Sequence, residues 1–231
     1  MAELVKFAVI ARIYSDFREK FGIPRQSGLV EELEAAVVFE PEYRVSHALS
    51  GIEQFSHIWL LWQFSEHADR GWSPTVRPPR LGGNRRIGVF ATRSPFRPSP
   101  VGLSCVRLLS VTWREDAGPV LLVAGADLLN GTPIVDIKPY IPLTDCRPDA
   151  LGGFSEENGS YRLSVVFPEQ LLEQVAEEKR TALLGVLAED PRPAYQTDEK
   201  RIYGLNFAGY EVKFQVEGKT LIVREVVRQN R

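Results

Sequence analysis

The chain has 231 residues, 44% of them apolar and 25% charged, with a formal net charge of −2. That size and apolar fraction suit one large domain, or a main domain and a small one, with a sizeable core. They leave no apolar run near the ~20 residues needed to cross a bilayer, and so small a net charge names no nucleic-acid partner by itself. Cys105 and Cys146, the two cysteines, show neither CxxC spacing nor a secreted disulfide framework. With no basic, apolar leader at the start, the expectation is a soluble cytoplasmic protein with reduced thiols.

In chain order, residues 4–13 are apolar and β-branched and predict a first strand. A polar loop follows, punctuated by Gly22, Pro24 and Gly28. Within it Pro24, Arg25 and Gln26 join a fixed φ to two multi-donor side chains, which suits either a binding loop or a plain connector. Residues 35–39 form a short strand stopped by Pro41, and residues 43–51 a helical turn closed by Gly51. The run SHIWLLWQF, residues 56–64, reads as a buried strand.

Charge then becomes one-sided. Residues 70–107 hold eight arginines (70, 77, 80, 85, 86, 93, 97 and 107), with no lysine, aspartate or glutamate. The rest of the chain, with 20 basic and 30 acidic side chains, carries −10. Proline and glycine stiffen and bend this stretch, and Trp72, Phe90 and Phe96 lie among the arginines. Guanidinium forks suit phosphate and base stacking, so the stretch reads as a cationic surface that holds an anion; a solvated basic loop is the alternative.

Strands are predicted over residues 87–91, 101–113, 119–127 and 133–141. Alternation in the last puts Ile134, Asp136, Lys138 and Tyr140 on one face, against Val135, Ile137 and Pro139. An acid, a base and a phenol together suggest a site, or equally the charges that protect a sheet edge. Residues 161–167 give one more strand. One helix is predicted from Pro168 to just before Pro191, then two strands over residues 203–216 and 220–227 joined at Gly218.

Because strands do not alternate with helices, a doubly wound parallel sheet is not expected. The prediction is a mainly β protein: a small, non-Rossmann β-barrel over residues 1–167, with an α+β helix-and-hairpin appendage over residues 168–231. No GxGxxG follows a strand, and residues 82–88 lack a P-loop ending. His47, His57 and His67 are ten residues apart, so no metal site is expected.

Several stretches carry a resemblance. RPPRLGGNR (77–85), GVFATRSPFRPSPVGLS (88–104) and DLLNGTPIVDIKPYIP (127–142) resemble the TrmO family, as do EKFGIPRQSGLV, FSHIWLLWQF and DPRPAYQ. That family comprises S-adenosylmethionine-dependent methyltransferases acting on N6-threonylcarbamoyladenosine beside the tRNA anticodon. The resemblance implies a β-barrel, a homodimer, and cofactor contacts from Pro24, Arg25, Gln26, Ser65, Glu66, Arg93, Leu103, Asn130, Gly131, Thr132 and Pro133. This chain departs from the family pattern at Ser65-Glu66, where His-Gln is usual, at Asn130 and at Ser99. Asp136 becomes the candidate base, with Lys138 and Tyr140 orienting it or holding the substrate carboxylate. Arg77, Arg80, Arg85, Arg86 and Arg97, with Arg192 and Tyr195 from the tail, become candidate contacts to the anticodon stem-loop. A non-catalytic RNA-binding barrel, or a methyltransferase with another substrate, remains the alternative.

Overall fold

The computed structural model describes residues 5–67, 71–78, 85–158, 161–193, 196 and 198–229. Six antiparallel strands close into a barrel: β1 (Ala11–Tyr14), β2 (Glu34–Phe39), β3 (His57–Gln63), β6 (Val101–Arg114), β7 (Gly118–Ala124) and β8 (Pro133–Pro139). Their order around the wall is β1-β2-β7-β6-β3-β8, and β8 returns to β1 through Ala11 opposite Ile134. A two-stranded ribbon, β4 (Thr75–Val76) with β5 (Ile87–Gly88), stands apart from it.

Alternate residues must fill so narrow a barrel, and small and branched side chains do so. Ala11, Ile13, Val37, Ile58, Leu60, Leu121, Val123 and Ile134 are fully buried in it. The alternation predicted for β8 fails at one point. Asp136 pairs with Leu61 but Ile134 pairs with Trp62, so Val135 is an extra residue in the ladder. This β-bulge lets Ile134 and Ile137 both face the barrel core while Asp136 and Lys138 face out. Ile134 therefore leaves the face on which strict alternation put it.

The C-terminal part is a four-stranded sheet rather than a lone hairpin, in the order β10 (Tyr203–Phe207), β11 (Tyr210–Glu217), β12 (Thr220–Arg228), β9 (Ser164–Val166). Strand β9, counted with the barrel from sequence, instead runs parallel to β12. The run predicted as one strand over residues 203–216 folds back at Ala208-Gly209, whose φ values of 51° and 83° make the left-handed pair that a two-residue hairpin needs. Ala at the first of these positions hides the turn from sequence reading. The predicted helix is likewise divided into α1 (Glu169–Leu172) and α2 (Glu177–Ala188). At the break Ala176 is extended, its N–H donating to Tyr210 Oη (3.2 Å), and Arg180 donates to the carbonyls of Val175 and Glu173.

The segment between β1 and β2 belongs to both parts. Phe17, Val30 and Leu33 are buried in one cluster with Leu183, Leu187, Leu205, Phe207 and Phe214. Phe17 meets Phe207 edge-on at 5.5 Å, Lys179 pairs with Asp16 at 2.6 Å, and Ala208 donates to the Asp16 carbonyl. Gly22 is fixed twice over: its φ is +89°, and a Cβ there would lie 2.1 Å from Leu205 Cδ1.

Candidate active site at the barrel rim

The strand order brings the ends of β1, β3 and β7 together with the starts of β2, β6 and β8, so the loops from these ends share one rim. On one side of it the turn before β8 is stitched to the exit of β1. Asn130 N–H donates to the Phe17 carbonyl (2.8 Å), Gly131 N–H to that of Ile13 (2.7 Å), and Ser15 Oγ to that of Leu128 (2.7 Å). Asn130 Oδ1 accepts from Ser15 N–H, and the buried Thr132 hydroxyl donates to Leu129 O, so both side chains shape the turn. Pro133 is buried at the start of β8.

On the other side the loop through Pro24, Arg25 and Gln26 lies along β6. Ser27 Oγ accepts from Cys105 N–H (3.1 Å), and Gly28 N–H donates to Gly125 O (2.9 Å). Arg93 donates to Gln26 Oε1, joining two sequence-predicted cofactor residues 67 positions apart. Pro24 is buried while Arg25 is exposed. Ser65 and Glu66 are exposed beyond the end of β3, and Glu66 pairs with Lys20 of the loop at 2.7 Å. Leu103, 44% exposed on the outer face of β6, completes the set.

Between these sides runs a polar chain that sequence reading did not single out. Trp62 Nε1 donates to Ser104 Oγ (3.0 Å), and Ser104 Oγ donates to Asp127 Oδ1 (2.6 Å). Ser104 is fully buried. Burial pushes the Asp127 carboxyl above its ordinary pKa, against the opposing effects of the Ser104 hydrogen bond, the Ser27 backbone and the Arg93 charge. Gly102 makes room for the indole: a Cβ there would come 2.3 Å from Trp62 Cε2. A serine and a glycine alternating in an apolar strand were the available signal.

Asp136, Lys138 and Tyr140 lie on the outer wall. Asp136 Oδ2 pairs with Lys138 Nζ at 2.7 Å, both of them substantially exposed, and Oδ1 accepts from Ile137 N–H. Tyr140 packs against Trp59 and His57, with ring centroids at 5.7 and 6.2 Å. Register joins this wall to the rim, because Asp136 pairs with Leu61 and Leu61 pairs with Leu103. Two strand spacings put Asp136 and Leu103 about 10 Å apart. Beside them Trp59 Nε1 donates to Asp145 (2.9 Å), and this bond, with the Ile141 N–H, holds the Asp145 carboxyl below the usual range.

The arginines divide by what holds them. Arg77, Arg85 and Arg86 are exposed, Arg86 donating to Thr75 Oγ1. Trp72 and Phe90 stand beside them in sequence, 56% and 75% exposed. Arg97 instead braces its own loop through the Thr92 carbonyl. Arg192 is nine-tenths buried and grips Asp190 through both Nε (2.8 Å) and Nη2 (2.9 Å), so its charge is matched inside the chain. Burial would raise Asp190, but the hydrogen bonds and charge of Arg192 hold it below the usual carboxylate range. Arg80 and Tyr195 lie outside the described residues. A cavity of about 330 Å³ separates the Lys20–Arg25 loop from Glu189, Asp190 and Arg192.

Among the described residues no three His, Cys, Asp or Glu side chains gather as metal ligands, and no helix is long and apolar enough to cross a membrane.

Comparison with known proteins matches two family models to the chain. One is the tRNA-methyltransferase O N-terminal domain, over residues 12–146, and the other the TrmO C-terminal domain, over residues 160–229. A tRNA (adenine(37)-N6)-methyltransferase of Escherichia coli is 41% identical over 219 residues, covering 91% of this chain and 93% of that protein. A Pseudomonas aeruginosa protein named for S-adenosylmethionine-dependent methyl transfer is 40% identical over 221 residues, covering 92% and 93%. Among solved structures, a TrmO crystal structure from Pseudomonas aeruginosa superposes with a TM-score of 0.79 at 32% identity, over 99% of each chain.

Proposed function

The chain belongs to the TrmO family of tRNA adenine(37)-N6 methyltransferases, which use S-adenosylmethionine, and on that premise we propose that it methylates N6 of threonylcarbamoyladenosine beside the anticodon. The observation that carries the reading is the convergence at one rim of the Gln26 loop, Arg93, Leu103 and the Asn130–Pro133 turn, with Asp136 in register along the wall.

The donor set fits the cofactor. Arg93 offers a guanidinium to its carboxylate, Leu103 an apolar surface, and the half-buried Asp127, when ionised, a negative field for a ligand that carries positive charge. The cofactor supplies a methyl group already activated by a sulfonium. What the chain must add is alignment, through the hydrogen-bonded Gln26–Arg93 pair and the stitched Asn130–Pro133 turn. The ureido-type N6 is a weak nucleophile, so Asp136 would take its proton as the N–C bond forms and the S–CH3 bond of the sulfonium breaks, its electron pair going to the departing thioether. Lys138, ion-paired to Asp136, orients that base or receives the threonyl carboxylate, and Tyr140 walls the site with Trp59.

Exposed Arg77, Arg85 and Arg86 meet the phosphates of the anticodon stem-loop, with Trp72 stacking on bases. The protein works in the cytoplasm as a homodimer; Leu103, Ile141 and Leu143, 44%, 45% and 88% exposed on one side of the barrel, supply the apolar surface for a second copy. Mass spectrometry of tRNA nucleosides from a strain lacking the protein tests the substrate. The methylated nucleoside is expected to vanish while unmethylated threonylcarbamoyladenosine accumulates, and an unchanged profile rejects the assignment. With purified enzyme, Asp136→Asn is expected to lower kcat at saturating substrates by at least tenfold; near-wild-type turnover removes Asp136 as base.

A further inference from the structure

Asp127 stands where three separate pieces of the rim meet, and every contact recorded for its side chain favours an anion. Ser104 donates to Oδ1 at 2.6 Å from β6, and the Ser27 backbone of the Gln26 loop and the Arg93 charge from the segment before β6 both act to favour its ionised form. Arg93 in turn donates to Gln26 Oε1, and Ser27 Oγ accepts from Cys105 N–H, so the loop is fastened at consecutive residues around this carboxylate. Three residues on, the same strand exit becomes the Asn130 turn.

We propose that Asp127, as a carboxylate, is a positioning residue of the cofactor site that holds the Gln26–Ser27 bend and the Arg93 guanidinium in register. The inference rests on the reading that Gln26 and Arg93 hold S-adenosylmethionine. A carboxylate accepts from the Ser104 hydroxyl and answers the Arg93 charge at once; a neutral acid or an amide keeps the first and loses the second. Protonation therefore releases the guanidinium, and cofactor affinity falls with it.

Burial makes ionisation costly, which ties the two states to pH. A carboxyl raised above its unfolded value binds its proton more tightly in the folded state, so the stability it contributes is greatest in acid and is lost as pH rises through the folded value. At pH 8 the carboxylate is thus kept at a cost in stability. Function and stability then pull in opposite directions at this residue, as they do not for a merely structural carboxylate. Among the described residues the charged group acting on it is Arg93, and the neutral groups that favour its ionised form are the Ser104 hydroxyl, its own backbone N–H and the Ser27 backbone.

The test is calorimetric titration of S-adenosylhomocysteine into the full-length protein between pH 8 and pH 5, with thermal melts at pH 8. Wild-type affinity is expected to fall in acid, with a midpoint above the ordinary aspartate value. Asp127→Asn should bind at least tenfold more weakly at pH 8, lose the acid limb, and melt no lower than wild type. Ser104→Ala, a mild change at a buried site, removes a hydrogen bond that favours the anion and should move the limb to higher pH. The proposal is overturned if Asp127→Asn binds within twofold of wild type or keeps the limb. Should that variant not fold, a flat wild-type profile or an unmoved limb in Ser104→Ala overturns it instead. Arg93→Ala separates the two readings: undiminished affinity there rejects the cofactor-site assignment itself, whereas its loss beside an unaffected Asp127→Asn rejects only the role of Asp127.

Discussion

The barrel admits polar groups to its mouth, the chain from Trp62 through Ser104 to Asp127, whereas the C-terminal sheet packs Phe17, Phe207, Phe214 and Tyr203 into an aromatic core and keeps the Asp190–Arg192 pair at its margin. Each region draws a carboxylate out of water, Asp190 fully and Asp127 in part, yet opposite things happen to it. Asp190 is gripped by a guanidinium at two points and pushed down; Asp127 has hydroxyl and amide donors, feels Arg93 through charge, and is pushed up. A tightly matched charge serves architecture, and an incompletely matched one is available to a ligand. The contrast separates residues of similar sequence appearance into fold and site.

The largest expected effect breaks the contrast at the segment shared by both regions. Phe17→Ala should cost about 4 kcal/mol in urea unfolding, since its ring is 1% exposed against Phe207. Because the Phe17 carbonyl accepts from Asn130 N–H, S-adenosylhomocysteine binding should weaken too. Next comes Arg192→Met, expected to cost about 3 kcal/mol by stranding Asp190. Its tRNA affinity should keep the wild-type salt slope if the guanidinium is architectural, and a shallower slope would return Arg192 to the RNA surface.

The same ion pair makes a pH prediction. Asp190 is depressed in the folded state, so its contribution is present above the ordinary aspartate pKa and lost as pH falls through the depressed value. Replacing Arg192 should therefore flatten the acid limb of the Tm profile below about pH 4. Gly102→Ala should cost about 2 kcal/mol by driving a methyl into the Trp62 indole, with changed tryptophan fluorescence. Smallest in stability is the pair Arg85→Ala with Arg86→Ala, both exposed and expected within about 0.5 kcal/mol of wild type. Its signature is a tRNA salt slope shallower by about 2, with cofactor affinity intact.

Residue pattern carried far in the barrel, where two-residue periodicity maps directly onto inside and outside. The strands through Trp59, Leu121 and Ile134 and the absence of a Rossmann loop were readable from the chain. Arg93 and Gln26 were named without geometry, by resemblance, and the structure joins them by a hydrogen bond. Periodicity failed at Val135, where one extra residue changes the face, and at Ala208-Gly209, where a turn lacks the usual asparagine. It also gave no hint that Phe17 and Val30 pack with Leu183 and Phe214, since side chains so far apart in sequence meet only after the strands have closed.

Sequence by itself determined a mainly β chain with an arginine zone free of acids, because strand pattern and charge are local properties that each residue carries alone. Tertiary structure decided which charges in the rest of the chain are matched by a partner. Arg192 and Asp190 are neighbours in the sequence and neutralise each other, while Asp127 lies far from Ser27 and Ser104 and meets them only at the closed rim. A carboxylate's pKa depends on what surrounds it in space, and burial and hydrogen-bond partners exist only once the barrel has closed.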